Sequence, residues 1–414
     1  MFKRHDKLDY ILIFCGMLLV GAFLSDTPKA ILDGFINIIL SPDILLTDYI
    51  EVGGMGAALL NASIMGVINV LLLKRFKSQI TGLSYAALLT VIGFSVIGKN
   101  IYDFWPIYIG GYLYAKHQKI TFESILLQLM FATTLSPIVS ELSFGSHLSV
   151  VQGMLLGILL GVLIGYVIVP ISKTIFKAHE GYTLYNVGLS GGILGTMLFS
   201  LLTSFKLIIK VQDILSTDYH LLIAKTLTIL SVICILFGFF YDKNSLKKYK
   251  NLLKRSGQAP SDFLSDYGLG VVMLNMGLMG LISIGFVFLS KGTFNGPIIA
   301  GILTVVGFAA YGKHPVNVLP VLVGISIAAY IKVWEASSTV VIIAGLFGTT
   351  LAPISGEFGW PFGILAGFLH LSMAMNIGVV HGGTNLYNNG FAGGMVSIIL
   401  VSILKDRIKP KTFH

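Results

Sequence analysis

The stretch HGGTNLYNNGFAGG, residues 381–394, interrupts an apolar run near the C-terminus. It holds five glycines and three asparagines, with one His, one Thr and one Tyr. Glycine disfavours continuous helix by about 1 kcal/mol relative to alanine. A second stretch, HEGYTLYNVGLSGG (179–192), matches it at an offset of 202. His179 pairs with His381, Leu184-Tyr185-Asn186 with Leu386-Tyr387-Asn388, Gly188 with Gly390, and Gly191-Gly192 with Gly393-Gly394.

Further pairs follow in the same order along the chain. At an offset of 214, Asp48, Gly54, Gly56, Asn61 and Met65-Gly66 match Asp262, Gly268, Gly270, Asn275 and Met279-Gly280. The same offset pairs LTVIGFSVIGK (89–99) with LTVVGFAAYGK (303–313), and Pro106 with Pro320. At 216, TTLSPIVSE (133–141) pairs with TTLAPISGE (349–357). Ordered matches that include Asn, His, Glu and Pro indicate a tandem duplication, with drifting offsets as loop insertions produce.

The chain has 414 residues, 55% hydrophobic and only 11% charged, against roughly 25% charged in a soluble domain. Its apolar runs approach the ~20 residues a helix needs to cross a bilayer. The fold class expected is an all-α membrane protein, not a β-barrel, whose signature is short alternating segments. About fourteen apolar segments are read: 9–25, 52–73, 80–98, 101–115, 121–140, 148–172, 182–204, 220–241, 266–290, 294–312, 316–331, 337–355, 358–379 and 384–404. The basic start and apolar stretch to Leu24 lack a small-x-small cleavage site, so they are read as the first helix and not as a signal peptide. The expected units are residues 1–205, a first transmembrane repeat; 206–262, a connector with the leading helix 220–241 and a basic loop; and 263–414, the remainder of the second repeat.

Seven segments per half is odd, so the halves are expected to be inverted. The basic loops agree. In the first half Lys74, Arg75, Lys77, Lys116, Lys119, Lys173 and Lys177 follow segments two, four and six, where the second half has only Lys291 and Lys332. The other loops reverse the bias, with Lys243, Lys247, Lys248, Lys250, Lys254 and Arg255, then Lys405, Arg407, Lys409 and Lys411, against Lys29, Lys206 and Lys210. By the positive-inside rule, both termini are expected in the cytoplasm, with the protein multi-pass in the cell (cytoplasmic) membrane. The net charge of +9 is thereby explained without nucleic acid. Cys15 and Cys234 lie in apolar runs and read as small hydrophobes.

Gly- or Pro-interrupted apolar segments at matching places in two repeats point to a transporter's solute site. Three pairs qualify. The helix breaks comprise Gly188, Gly191 and Gly192 with Gly390, Gly393 and Gly394, and Pro137 with Pro353. The solute path expected beside them is lined by Asn61, Asn186, Asn275, Asn388, Tyr185, Tyr387, Thr133, Thr134, Thr349 and Thr350. The bland alternatives are small-residue helix packing and, for the acids, helix ends at the membrane surface. Glu141, Glu357, His179 and His381 are the candidates for proton coupling. Few other buried charges are expected, which favours a neutral or singly charged solute.

No His/Cys/carboxylate cluster has metal-ligand spacing, and no Walker A, nucleophile-elbow or HExxH motif is present. No cofactor, metal or enzymatic activity is expected. The partners expected are the lipid bilayer and a small polar solute; a homo-oligomer is compatible with the sequence. The paired stretches resemble a family of bacterial multispanning membrane proteins of unknown function, over nearly the whole chain. That resemblance implies no site residues. The architecture is similar to inverted-repeat transporters, and the Tyr-Asn element to the Phe-Asn element of urea channels, whose Thr-x-Pro-Phe signature this chain lacks. The expected function is a secondary transporter or facilitator. Its rivals are a passive channel for a small neutral solute, and a membrane enzyme or scaffold.

Overall fold

A computed structural model describes residues 7–145, 148–207, 209 and 213–407. Lys210, Lys409 and Lys411 of the loop comparison lie outside the described residues. The first half of the chain runs α1 (Lys7–Ser25), α2 (Pro28–Leu40), α3 (Tyr49–Gly53), α4 (Met55–Arg75) and α5 (Gly82–Phe94). It continues through α6 (Trp105–Gln118), α7 (Glu123–Ala132), α8 (Ser136–Phe144), α9 (Val150–His179) and α10 (Asn186–Ser204). The second half runs α11 (His220–Tyr241), α12 (Ser245–Leu252), α13 (Phe263–Tyr267), α14 (Leu269–Leu289) and α15 (Gly296–Phe308). It ends with α16 (Pro315–Ile331), α17 (Thr339–Gly348), α18 (Ala352–Phe358), α19 (Trp360–Ile377) and α20 (Asn388–Arg407). Among the described residues there is no strand, only an isolated bridge between Thr47 and Ile214.

This is a multi-pass membrane protein. Among the described residues ten helical runs are long and apolar enough to cross a bilayer, and three shorter apolar helices accompany them. The expected fourteen segments are not reproduced span for span. Segments 80–98 and 294–312 contain α5 and α15, each of 13 residues. At 1.5 Å per residue each is roughly 20 Å long, short of the ~30 Å hydrocarbon core. Residues 28–40, outside the fourteen segments, form α2, whose first turn Thr27 caps by accepting from Ala30 N at 3.3 Å.

Stretches matched in sequence fold alike. Each Thr-Thr-Leu, at 133–135 and 349–351, is a 3₁₀ turn, and the following proline lies in the first turn of α8 or α18. Proline lacks an N–H, so the first turn, where the N–H is unpaired anyway, tolerates it. The short helices α5 and α15 pack together at the centre. A Cβ on Gly93 would sit 3.0 Å from Ala300 Cα, and one on Gly307 3.0 Å from Ala86 Cα, so small residues set their approach. Each also starts on a carboxylate from the other half: Gly82 N donates to Asp262 Oδ1 (2.8 Å) and Gly296 N to Asp48 Oδ2 (2.9 Å). Acids favour a helix N-terminus, where the macrodipole is positive. The outer helices α1, α9 and α11 expose Val20, Leu159 and Ile229, as lipid contact allows.

Candidate functional site

The chain leaves helix at matched points between α9 and α10 and between the 3₁₀ turn Gly378–His381 and α20. Glu180 and Gly181 have φ of 51° and 81°, and Gly382 and Gly383 have 56° and 75°. These left-handed positions turn the backbone out of the helix. A break in a membrane needs its freed amides paired by protein or by cavity water. Here the other half pairs them. Tyr185 N donates to Thr350 Oγ1 (3.0 Å) and Leu184 N to Thr350 O (3.1 Å). Correspondingly, Tyr387 N donates to Thr134 Oγ1 (2.8 Å) and Leu386 N to Thr134 O (2.9 Å). The Thr-Thr-Leu-x-Pro turns thus staple the opposite break.

The breaks are stiffened from within. His179 Nε2 lies 2.9 Å from Asn186 Oδ1, and Asn186 Nδ2 donates to Ser172 O at 3.0 Å. His381 and Asn388 repeat both contacts at 2.9 and 3.0 Å, the latter to Ala374 O. The two breaks meet at Gly188 and Gly390, where a Cβ on Gly188 would fall 2.8 Å from Gly390 Cα.

Lys99 and Lys313 close the matched runs that contain α5 and α15, and both are fully buried. Lys99 Nζ donates to Tyr387 Oη at 2.5 Å, and Lys313 Nζ to Tyr185 Oη at 2.5 Å and to Thr349 Oγ1 at 2.7 Å. Each Nζ also lies 4.5 Å from the ring centre of its tyrosine and 5.3 Å from that of Phe94 or Phe308, within the range of amine–aromatic contact. The central asparagines hold the turns that present these lysines. Asn61 Nδ2 donates to Ser95 O and Lys99 O, both 2.7 Å, and Asn275 Nδ2 to Ala309 O and Lys313 O, both 2.8 Å.

Between the breaks lies a cavity of about 210 Å³. Matched residues line it from both halves: Thr90 and Thr304, Phe94 and Phe308, Phe131 and Phe347, Tyr185 and Tyr387, Gly188 and Gly390. Thr304 Oγ1 donates to Ala300 O at 2.7 Å, whereas the buried Thr90 Oγ1 has no partner among the described residues.

The surroundings of the two lysines differ. Asp103 lies near both Lys99 and Asp43. Asn100 donates to both, from N to Asp103 Oδ1 (3.1 Å) and from Nδ2 to Asp43 Oδ2 (2.9 Å). At the 214 offset His314 replaces Asn100 and Asn317 replaces Asp103. His314 N donates to Asn317 Oδ1 at 2.9 Å, and no carboxylate among the described residues pairs with Lys313.

Of the residues singled out by sequence, Tyr185, Tyr387 and Asn186 line the cavity, and Asn388 lines a separate one. Asn61 and Asn275 clamp backbone carbonyls. Thr134 and Thr350 staple the breaks, and Thr133 Oγ1 donates to Met130 O at 2.7 Å. Gly191 and Gly393 face Thr134 and Thr350, and Gly192 and Gly394 face Phe391 and Leu189. Glu141 and Glu357 lie in the last turns of α8 and α18, at 4% and 8% exposure, and Glu357 neighbours Ser256 and Lys405. The expectation of few other buried charges is corrected: Lys99, Lys313, Asp43, Asp48 and Asp103 are all fully buried. The signal was available in the two lysines, since a charge ending an apolar run at the same place in both repeats is a functional candidate.

The chain belongs to the family described as protein of unknown function DUF1576, whose model matches residues 27–204 and 241–406. No curated protein and no solved structure matches it.

Proposed function

We propose that this family member is a secondary transporter or facilitator that moves a small polar solute between two halves crossing the membrane in opposite senses. The observation that carries the reading is the cavity bounded by both helix breaks and by matched side chains from both halves. Discontinuous helices facing a cavity between repeats are the usual setting of transporter sites. The loop-charge bias supports a cytoplasmic-membrane location with both termini inside.

Glu141, Glu357, His179 and His381 are buried, which favours proton coupling over a passive channel, since solvent-exposed groups would carry no coupling. Uptake into proteoliposomes, screened over neutral, anionic and cationic solutes, tests the reading. At least one class enters faster than into empty vesicles, and Asn186→Ala and Asn388→Ala slow it. Equal uptake into empty and protein-bearing vesicles for every class overturns it.

A further inference from the structure

We propose that the central cavity binds a small organic monocarboxylate with an apolar body, and that Lys313 supplies its counter-charge across the Tyr185 wall. The proposal rests on the reading of this cavity as the solute site.

Three observations converge on an anion. First, Lys313 is fully buried and hydrogen-bonded only to neutral oxygens, those of Tyr185 and Thr349. A buried charge is costly unless paired, and the matched lysine has Asp103 nearby while this one has an amide, Asn317, at the matched position. Second, α10 and α20 start at the cavity, which Val187, Gly188, Asn389 and Gly390 line. The positive end of each macrodipole falls there, while the Gly188 and Gly390 N–H groups already donate to Tyr185 O (2.9 Å) and Tyr387 O (2.8 Å). Third, Thr90 is 2% exposed, lines the cavity and has a hydroxyl without a partner, whereas Thr304 at the matched position is satisfied. That hydroxyl is a donor awaiting an acceptor.

The walls set the rest of the ligand. Phe94, Phe131, Phe308 and Phe347 are apolar, and no carboxylate among the described residues lines the cavity to receive a cation. An apolar cavity of ~150 Å³ admits benzene, so about 210 Å³ holds a benzene-sized body with one carboxylate. Lys313 Nζ sits 4.5 Å from the Tyr185 ring centre, just behind the wall. A carboxylate roughly 7 Å from it, at an effective dielectric of about 20, gains roughly fifty-fold in affinity over a neutral isostere.

The test uses the full chain in detergent with benzoate, benzamide and benzylamine, read by calorimetry and by the thermal unfolding midpoint. Benzoate binds, benzamide binds at least roughly tenfold more weakly, and benzylamine does not bind. Lys313→Met brings benzoate down to the benzamide level, whereas Lys291→Met, at an exposed lysine outside the cavity, preserves the acid-to-amide ratio. Equal binding of benzoate and benzamide, preference for benzylamine, binding of none of the three, or an unchanged ratio in Lys313→Met overturns the proposal. Should Lys313→Met fail to fold, the wild-type ratio and Tyr185→Phe, expected to weaken benzoate selectively, decide it. Benzoate binding without uptake into proteoliposomes sinks the transport reading and upholds the binding site. Uptake of solutes with no preference for the acid does the reverse.

Discussion

Lys313 and Tyr185 stand 128 residues apart in sequence, yet Nζ and Oη are 2.5 Å apart. Lys99 and Tyr387 repeat the relation across 288 residues. Each lysine is thus fastened to the break belonging to the other half. The halves are joined by crossed polar contacts and not by apolar packing alone.

The staples are the first of these contacts to test. Thr350→Val removes the hydroxyl that accepts from Tyr185 N and pairs with Thr183 Oγ1. A buried amide left unpaired costs about 1–3 kcal/mol, so the unfolding midpoint in detergent falls. Thr134→Val does the same at Tyr387, while Thr350→Ser, which keeps the hydroxyl, loses less. A midpoint unchanged in both valine variants would remove the staples from the account.

Glycine at the crossing is required by space. Gly188→Ala places a methyl 2.8 Å from Gly390 Cα, and Gly390→Ala one 2.9 Å from Gly188 Cα. Overpacking of this kind costs roughly 1–3 kcal/mol. Gly285→Ala in α14, with nothing within 4 Å, gains up to about 1 kcal/mol from helix propensity. Thermal unfolding of the three variants separates them, and equal midpoints would refute the close crossing.

The nearness of Asp103 to the buried Lys99 predicts strong coupling. Asp103→Asn leaves Lys99 without its near carboxylate, a loss of roughly 3–5 kcal/mol for a buried pair. Lys99→Met combined with Asp103→Asn costs less than the sum of the single changes. A double-mutant cycle on unfolding free energies measures this, and additivity would contradict it.

Orientation is checked with single cysteines in a chain first stripped of Cys15 and Cys234. Lys77, Lys247 and Lys291 are exposed. A membrane-impermeant maleimide applied to intact cells labels Lys291→Cys and spares Lys77→Cys and Lys247→Cys. Like labelling of Lys77→Cys and Lys291→Cys contradicts inverted halves, and labelling of Lys77→Cys alone reverses the assigned orientation.

Much of the architecture was readable from pairs of short stretches, because a duplicated chain prints each irregular element twice. The breaks at His179–Asn186 and His381–Asn388 and the Thr-Pro turns fall where the paired glycines and prolines stand. The partners of these groups were not readable. Thr350 reaches Tyr185 across 165 residues, and no local periodicity encodes such a contact. Asn61 and Asn275 are polar for the backbone of neighbouring turns and not for a solute, a distinction that composition does not make. Lys99 and Lys313 end apolar runs, which is also how a residue at the membrane surface reads. Asp43 and Asp103 are held together through Asn100, which donates to both, and no local pattern encodes that meeting of the loop after α2 with the turn after α5.

The reciprocal staples also bear on biosynthesis. When residues 179–192 leave the ribosome, Thr350 has not been made; Tyr185 precedes it by 165 residues. At roughly 5–20 residues per second, its amide waits about 10–30 s for its acceptor. During that interval the nascent first half carries an unfinished break, which water, lipid headgroups or the insertion machinery must shelter. Synonymous codons that slow translation between residues 192 and 350 should therefore lower the yield of folded protein without altering a single side chain.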